Sequence, residues 1–362
     1  MRFLIIKLSA IGDVVHTLPA VAFLKRSLPD AEIAWAVEPK AAAILEGSPV
    51  IDELIILDTK SLKKNIFSGS VAQKIEKQLF APKKFSSFDV AIDFQGLLKS
   101  GLVTKASKAD RRIGFEDADL REKISRRFLT EQIHTAGFAH VIEKNLAVAR
   151  AAINRSLELP SPDRYEFPIA ISLEDEQYIH EHALNQTLQF AILNPGGGWT
   201  TKLWDAKNFG AVADFLWENY QLMSFVTFGP GEEALAQSVA QSSRIKKAIP
   251  LPSTLKQFVA LARQAKIFIG GDTGPLHLAA ACRTPIVGLF APTEAKRNGA
   301  FAKCDINLGL ELWCREHCHR RHCWHWQCME IPLEKVCEAV VKRLKNAKTV
   351  NEKMQQPLAF NV

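Results

Sequence analysis

Side chains suited to phosphate binding lie where an apolar stretch of the second half of the chain ends. Residues 266–269 form an apolar run that stops at two glycines, and an Asp-Thr-Gly-Pro turn then opens a small-residue helix. This strand–turn–helix junction presents unpaired backbone N–H groups and the positive end of a helix dipole, which together favour a phosphate. His277, on the first turn, can point at the same ligand. A well-capped helix in any α/β protein has the same pattern, so this segment alone leaves both interpretations open.

Two further segments of the second half could complete such a site. Residues 196–198 are three glycines, which permit close backbone approach, and Lys202 supplies a point charge for phosphate. Glu232 opens another predicted helix, and such a carboxylate commonly accepts hydrogen bonds from ribose hydroxyls. Each of these residues alone also fits a surface lysine or a helix N-terminal acid. Together they predict a nucleoside-diphosphate site, although no Walker loop and no Gly-x-Gly-x-x-Gly motif is present.

In the first half of the chain, the candidate for proton transfer is Asp13. It follows Gly12 at the end of the first predicted strand, where a carboxylate can act as a general base. A helix is predicted from there to about Leu28, and Pro19 either opens or kinks it. The helix dipole keeps the carboxylate ionised and lowers its basicity, so its value would lie in its position. An ordinary helix N-terminal acid is the alternative.

Alternating strands and helices must position these residues. The predicted strands cover residues 2–8, 32–37, 53–57, 89–94, 112–115, 190–193, 224–228, 266–269 and 285–290. A polar, proline-bearing stretch at 154–164 separates two such halves. We therefore predict two parallel-sheet α/β domains, residues 1–160 and 165–345, which face each other across a cleft at the carboxyl ends of their strands. A disordered tail is predicted at 346–362.

Composition narrows the partners of this 362-residue chain. No apolar run approaches the roughly 20 residues of a membrane helix, so we expect a cytosolic protein whose cysteines stay reduced. The net charge is +7, and its excess lysines and arginines lie mostly in the first half. A solvated face is one explanation. Attraction to an anionic lipid or an anionic sugar is the other, and nucleic acid is not expected because no nucleic-acid-binding motif is present.

Four motifs, in order and spacing, resemble those of the bacterial heptosyltransferases of lipopolysaccharide core assembly, glycosyltransferase family 9. They are residues 7–19 (KLSAIGDVVHTLP), 93–100 (DFQGLLKS), 202–204 (KLW) and 272–277 (DTGPLH). The resemblance covers nearly the whole chain, and the first two motifs look most like those of heptosyltransferase I. It implies the GT-B architecture, in which a first Rossmann-like domain binds the acceptor and a second binds ADP-heptose.

The resemblance also implies roles for individual residues. Asp13 matches the catalytic base, Lys202 the diphosphate lysine and Glu232 the ribose acid. Lys99 and Arg121 fall where basic residues face the acceptor. The implied nucleotide-sugar site further includes Gly197, Gly198, Asp272, Thr273, Gly274 and His277. Heptosyltransferase I carries threonines where this chain has the two glycines, so phosphate contact there would come from the backbone.

The implied activity is an inverting transfer of heptose from ADP-heptose to the Kdo of lipid A or to inner-core lipopolysaccharide. The implied enzyme needs no cofactor for catalysis, works in the cytoplasm, and lies peripherally on the inner membrane. Two alternatives stay open. One is transfer to another position, as in heptosyltransferases II and III, or of another sugar. The other is a non-catalytic protein that binds nucleotide or lipopolysaccharide, and the intact Asp13 argues against it.

The segment 313–329 departs from the heptosyltransferase I pattern by its cysteines and histidines. Cys314, Cys318, Cys323 and Cys328 lie within fifteen residues, and disulfides are rare in cytosolic proteins. Four thiols at this spacing could hold a structural zinc, with an iron–sulfur cluster a less favoured choice, although the spacing is not that of a standard zinc finger. Reduced cysteines in a loop near the acceptor are the alternative.

Metal analysis of protein purified under reducing conditions tests the zinc prediction. A structural site should hold about one equivalent of zinc, and a chelator should then lower stability and activity together because metal binding contributes to folding. Less than about a tenth of an equivalent of zinc and iron combined contradicts the metal interpretation.

Overall fold

The computed structural model describes residues 1–59, 69–80, 87–153, 156–184, 189–314, 318, 321, 323 and 327–355. The chain divides into two compact units, Met1–Ala170 and Ile171–Val362, called here the first and second unit. The first unit extends through the predicted linker because Glu166 forms an ion pair with Arg26, and Ala170 lies against Gly47. Residues 154 and 155 of that linker lie outside the described residues.

The first unit is built on a six-stranded parallel sheet with the order β3-β2-β1-β4-β5-β6. Its strands are β1 (Arg2–Ile6), β2 (Glu32–Val37), β3 (Glu53–Ile56), β4 (Val90–Asp93), β5 (Arg111–Phe115) and β6 (Glu131–Ile133). Its helices are α1 (Ile11–Val15), α2 (Leu18–Ser27), α3 (Pro39–Leu45), α4 (Gly69–Leu79), α5 (Leu98–Ala106) and α6 (Val141–Ala152). The single helix predicted after β1 is two helices, and Pro19 lies in the first turn of the second one.

The second unit repeats this sheet, with the order β12-β11-β10-β7-β8-β9 and all described pairs parallel. Its strands are β7 (Phe190–Asn194), β8 (Met223–Phe228), β9 (Ala248–Pro252), β10 (Ile267–Gly271), β11 (Ile286–Phe290) and β12 (Ile306–Gly309). Its helices are α7 (Leu173–Ile179), α8 (Ala206–Tyr220), α9 (Glu233–Ser242), α10 (Leu255–Ala262), α11 (Gly274–Ala281), α12 (Ala295–Asn298) and α13 (Leu333–Gln355). Counted from its own first strand, each sheet has the Rossmann order 3-2-1-4-5-6, which confirms the predicted fold of both domains.

The central strands form because their residues are apolar at nearly every position. Phe3, Leu4, Ile5 and Ile6 of β1 are completely buried, as expected where helices cover both faces of a parallel sheet. The sequence analysis missed β6, β9 and β12, which are all edge strands. An edge strand is less buried and tolerates residues that a central strand excludes, such as the two prolines of β9.

The C-terminal helix differs from its prediction. α13 continues to Gln355, so residues 346–355 of the predicted disordered tail are helical, and residues 356–362 lie outside the described part of the chain. In the part of the chain that the structure describes, we find no helix that combines the length and the hydropathy needed to cross a bilayer.

Each sheet reverses its winding direction between its first and fourth strands, β1 and β4 in the first unit and β7 and β10 in the second. In α/β sheets of this kind, ligands bind outside the carboxyl ends of the strands at such a switch point. The segments that follow these four strands carry most of the predicted site residues.

Candidate active site

A buried lysine–aspartate pair joins the segments that follow β7 and β10. Lys202 ends a short 3₁₀ helix, and its Nζ donates to the carbonyl oxygen and to Oδ2 of Asp272, both at 2.7 Å. The same carboxylate accepts from Thr293 Oγ1 at 2.6 Å and from His277 Nε2 at 3.1 Å. The side chain of Asp272 is only 5% exposed. Two further predicted nucleotide-site residues, Lys202 and His277, therefore contact Asp272 directly, Lys202 across 70 positions of the sequence.

The partners of Asp272 decide its charge. Burial alone would raise the pKa of its carboxyl, but the hydrogen bond and charge of His277, together with the charge and hydrogen bond of Lys202, hold that pKa well below its usual value. Asp272 is therefore an anion at neutral pH, and it fixes Lys202 at this end of the sheet.

The N-terminus of α11 lies next to this pair. Thr273 occupies the cap position in an extended conformation, and no side chain among the described residues caps the helix. The Thr273 hydroxyl lies instead 3.4 Å from Asn194 Oδ1 and 3.3 Å from the carbonyl oxygen of Gly271. The helix therefore presents its first-turn N–H groups, beginning at Gly274, and its dipole to a ligand. His277 is buried and turned to Asp272, so it positions that residue.

Glu232 connects the loops that follow β7 and β8. Its Oε1 accepts from the N–H of Gly197 at 3.0 Å, and its Oε2 accepts from the N–H of Gly229 at 2.9 Å. A Cβ atom at Gly196 would lie 2.2 Å from Oε2, so this approach requires glycine. The N–H of Gly197 is thus used by Glu232, whereas Gly198 faces open space. Of the two predicted phosphate-contacting glycines, only Gly198 therefore has a backbone N–H that Glu232 does not use.

The structure adds Trp199 and Arg321, which the sequence analysis did not assign to the site. Lys202 Nζ lies 4.7 Å from the centroid of the Trp199 ring, and Arg321 Cζ lies 4.7 Å from the same centroid. The indole of Trp199 thus makes cation–π contacts with both side chains. Arg321 belongs to the cysteine-rich segment, and its sequence position, 119 residues after Lys202, carries no signal of this contact.

In the first unit, Asp13 lies on α1 and contacts Arg121. Arg121 Nη2 donates to the two carboxylate oxygens at 3.3 and 3.2 Å, and the backbone N–H of Ala10 lies 3.4 Å from Oδ2. The side chain of Asp13 is 20% exposed, so it remains accessible. The predicted base and a predicted acceptor-facing cation therefore meet at the carboxyl end of the first sheet.

Lys99 has a different partner. Its Nζ donates to Oε1 of Glu38 at 2.6 Å, and the Thr59 hydroxyl donates to the same oxygen. Burial would raise the pKa of Glu38, but the hydrogen bonds from Lys99 and Thr59 and the charge of Lys99 hold it below its usual value. The charge of Lys99 is therefore balanced within the unit.

A buried network holds the segment that leads to Asp13. The side-chain oxygen of Gln95 accepts from the N–H groups of Leu8 and Ser9 at 3.0 and 3.2 Å. Lys7 Nζ donates to the carbonyl oxygen of Phe94 at 2.6 Å. Asp93 accepts from two backbone N–H groups and from a serine hydroxyl, and its complete burial raises the pKa of its carboxyl. The sequence feature that could have predicted these structural roles of Asp93 and Gln95 is the Asp-Phe-Gln-Gly sequence at the end of a strand.

The four cysteines of segment 313–329 are each half-buried. Burial raises the pKa of the Cys328 thiol, and the nearby thiols of Cys318, Cys323 and Cys314 raise it further. Among the described residues, no group of three His, Cys, Asp or Glu side chains is arranged to hold a metal ion. The neighbouring histidines lie outside the described residues: His317, His319, His322 and His325. The zinc site stays a prediction.

Comparison with known proteins places this chain in a family. The family model for "Glycosyltransferase family 9 (heptosyltransferase)" matches residues 77–325, more than half of the chain. The lipopolysaccharide heptosyltransferase 1 of Pseudomonas aeruginosa is 27% identical over 99% of this chain and 94% of its own length.

Two solved structures are similar in fold. A glycosyltransferase family 9 protein from Veillonella parvula has a TM-score of 0.76 at 20% identity, covering 95% of this chain and 97% of its own. The E. coli heptosyltransferase WaaC with ADP-2-deoxy-2-fluoro heptose has a TM-score of 0.73 at 21% identity, covering 96% and 100%. The protein is a glycosyltransferase built from two Rossmann-like domains. It belongs to glycosyltransferase family 9, the heptosyltransferase family.

The charge of Asp272 predicts a pH-dependent loss of stability in the Asp272→Asn variant. Because the folded-state pKa is depressed, ionised Asp272 stabilises the fold above its unfolded pKa of about 3.8, and this contribution is lost as the pH falls through and below that value. The variant should be about 3 kcal/mol less stable at pH 7, since it leaves Lys202 unpaired, and the difference should shrink below about pH 4. Denaturant unfolding at several pH values measures it, with the exposed Glu311→Gln as control. A difference that is constant with pH would contradict this account.

Proposed function

We propose that this chain transfers L-glycero-D-manno-heptose from ADP-heptose to a Kdo residue of Kdo-lipid A or inner-core lipopolysaccharide, with inversion at the anomeric carbon. The observation that carries the proposal is the contact of Lys202 with Asp272 at the uncapped N-terminus of α11. A fixed cation beside a helix N-terminus suits a diphosphate. Membership of the heptosyltransferase family and the similarity to a lipopolysaccharide heptosyltransferase 1 support the choice of sugar and pathway.

In this proposal the second unit stabilises the leaving nucleotide. As the bond from the anomeric carbon to the ADP oxygen breaks, negative charge grows on the diphosphate. Lys202, Arg321 and the N–H groups of α11 face that charge. Glu232 holds the glycine loop in place, and its carboxylate oxygens keep acceptor capacity for ribose hydroxyls.

The first unit supplies the base. Asp13 takes the proton of an acceptor hydroxyl as that oxygen attacks the anomeric carbon, and an oxocarbenium-like transition state leads to the inverted product. Arg121, already beside Asp13, offers a bidentate partner for an acceptor carboxylate or phosphate. We propose that the reaction takes no metal or other cofactor, since these cations and N–H groups supply the charge stabilisation.

We place the enzyme at the cytoplasmic face of the inner membrane, as a peripheral protein. An acceptor anchored by lipid A resides there, and the basic residues of the first unit suit an anionic surface. Transfer to another heptose position, or binding without catalysis, are the competing functions.

One assay separates these functions. The full chain is incubated with ADP-heptose and Kdo-lipid A, and mass spectrometry follows the acceptor while released ADP is measured. A single heptose adduct with matching ADP release supports the proposal. An adduct only on acceptors that already carry heptose supports transfer at a later position. Binding of ADP-heptose without any adduct supports the non-catalytic alternative.

The variant Asp13→Asn tests the base. It should fold normally and bind ADP as the wild type does, but its turnover should fall by about 10²–10⁴, the usual contribution of a positioned base. Turnover in the heptose assay and ADP calorimetry are the two measurements. Wild-type turnover would remove Asp13 from the mechanism.

The variants Lys202→Ala and Arg321→Ala test the diphosphate site. Each should weaken ADP binding by about 10- to 100-fold, because each removes a charged hydrogen-bond donor. Lys202→Ala should also lower the melting temperature, since it leaves buried Asp272 without its cation. Arg321→Ala should leave the melting temperature unchanged, because Arg321 is exposed.

Arg283→Ala is the matched control for Arg321. Its guanidinium also rests on an aromatic ring, that of Phe301 at 5.9 Å, but it follows the C-terminal end of α11. Its loss should leave ADP affinity unchanged. Equal ADP affinity in the wild type and Arg321→Ala would show that Arg321 only covers the indole.

A further inference from the structure

A cavity of about 430 Å³ lies in the first unit between α5 and the 3₁₀ helix Lys123–Phe128. Its lining contains only two kinds of side chain. Four are apolar and three are cationic: Leu98, Leu102, Ile124 and Phe128, with Lys105, Arg112 and Arg127. No acidic side chain is part of this lining. The charge of the three cations is therefore not balanced inside the cavity.

The walls of this cavity are fixed by packing and by hydrogen bonds. A Cβ atom at Gly101 would lie 2.4 Å from the Phe128 ring, so the glycine lets this ring pack on the backbone of α5. Arg112 Nε donates to the carbonyl oxygen of Phe128 at 2.9 Å, and its Nη1 donates to that of Ala109 at 2.7 Å. Arg112 thus holds the 3₁₀ helix against the sheet, and the cavity is a built feature of the unit.

The mouth of the cavity is amphiphilic. Ile124 is 42% exposed, one of few large apolar side chains at the surface of the described residues. Lys105 and Arg127 are exposed beside it. An exposed isoleucine between cations is unfavourable toward water and favourable toward a partner that offers both hydrocarbon and negative charge.

The cavity adjoins the proposed acceptor site through one short segment. Arg121, which contacts Asp13, comes directly before Glu122. Glu122 is bonded to both ends of the turn that opens α5, because its Oε2 accepts from the N–H of Leu98 at 2.6 Å and its N–H donates to the carbonyl oxygen of Gly96 at 3.1 Å. The 3₁₀ helix of the cavity begins at the next residue, Lys123. A ligand in the cavity therefore touches the segment that carries Arg121.

We propose that this cavity binds the phosphate and the first acyl methylenes of an anionic membrane lipid, and so docks the first unit on the bilayer next to its acceptor. The three cations suit the phosphate, and the four apolar side chains suit hydrocarbon. A volume of 430 Å³ lies in the range of small-ligand sites and holds only the interfacial part of a lipid, so that the lipid can stay in the membrane. The docking role rests on the proposed lipid-anchored acceptor, but lipid binding itself does not.

Vesicle binding of the full chain tests this site. Phosphatidylcholine vesicles with about one third phosphatidylglycerol are compared by flotation with vesicles of phosphatidylcholine alone. The wild type should bind the anionic vesicles at least about tenfold more tightly. Glycerol phosphate, which has the anion without acyl chains, should compete only weakly.

Two variants address the two halves of the lining. Ile124→Glu should lose about tenfold or more in vesicle affinity, since it removes an apolar side chain and adds a negative charge. The double variant Lys105→Ala/Arg127→Ala should lose about 25-fold, the product of two cations that each contribute about fivefold near an anionic surface. All three positions are exposed, so the melting temperature should not change.

The matched control is Lys266→Ala/Lys303→Ala, which removes two exposed lysines of the second unit. Its vesicle affinity should stay within about twofold of the wild type. An equal loss in the control would show that only net charge acts, and would overturn the proposal. Equal affinity of Ile124→Glu and the wild type, or full competition by glycerol phosphate, would also overturn it, the latter in favour of a small phosphorylated ligand.

A transfer assay separates this proposal from the proposed function. The cavity variants should keep wild-type heptose transfer to a soluble Kdo acceptor without acyl chains, and lose transfer to Kdo-lipid A in vesicles. Vesicle binding through the cavity without any heptose transfer would contradict the proposed activity and support the lipid site. Heptose transfer that the cavity variants leave unchanged on both acceptors would contradict the docking role.

Discussion

A buried aspartate at the switch point of each sheet, with a lysine from the segment after the neighbouring strand, is the constraint on which the candidate residues of each unit depend. Asp93 ends β4 and Lys7 follows β1 in the first unit, while Asp272 follows β10 and Lys202 follows β7 in the second. A carboxylate removed from water must be paired or hydrogen-bonded. The loops at both switch points are therefore folded around these carboxylates.

The two units satisfy this constraint in different ways. In the first, backbone N–H groups and a serine satisfy Asp93, burial raises the pKa of its carboxyl, and Lys7 donates to a carbonyl oxygen. These polar groups are therefore bonded to one another within the first unit, and they order the segment that carries Asp13. In the second, Lys202 bonds Asp272 directly beside an uncapped helix, and the pKa of that carboxyl is lowered. One fold thus provides a scaffold in the first unit and the proposed phosphate site in the second.

Much of the fold follows from local pattern. Strands such as β2 and β7 are apolar at almost every position because they are buried on both faces, and the predicted range of β2 agrees with the structure to the residue. The edge strands β6, β9 and β12 were missed because burial on an edge is partial and leaves a weak pattern. Local pattern also failed at His16, where two helices meet without a break in apolar periodicity.

The sequence by itself determined the fold class and the chemistry at the strand ends, since runs of apolar residues, glycine turns and helix starts are local features. Only the tertiary structure decided which of these residues are partners. Asp13 meets Arg121 across 108 positions, Lys99 meets Glu38 across 61, and Arg321 shares an indole with Lys202. Such pairs depend on strand order: Asp13 follows β1 and Arg121 follows β5, with β4 between these strands, while Glu38 follows β2 and Lys99 follows β4, with β1 between them. Strand order is set by packing between segments that are far apart in the sequence, because each sheet face must be buried by helices. A local sequence pattern does not contain this information.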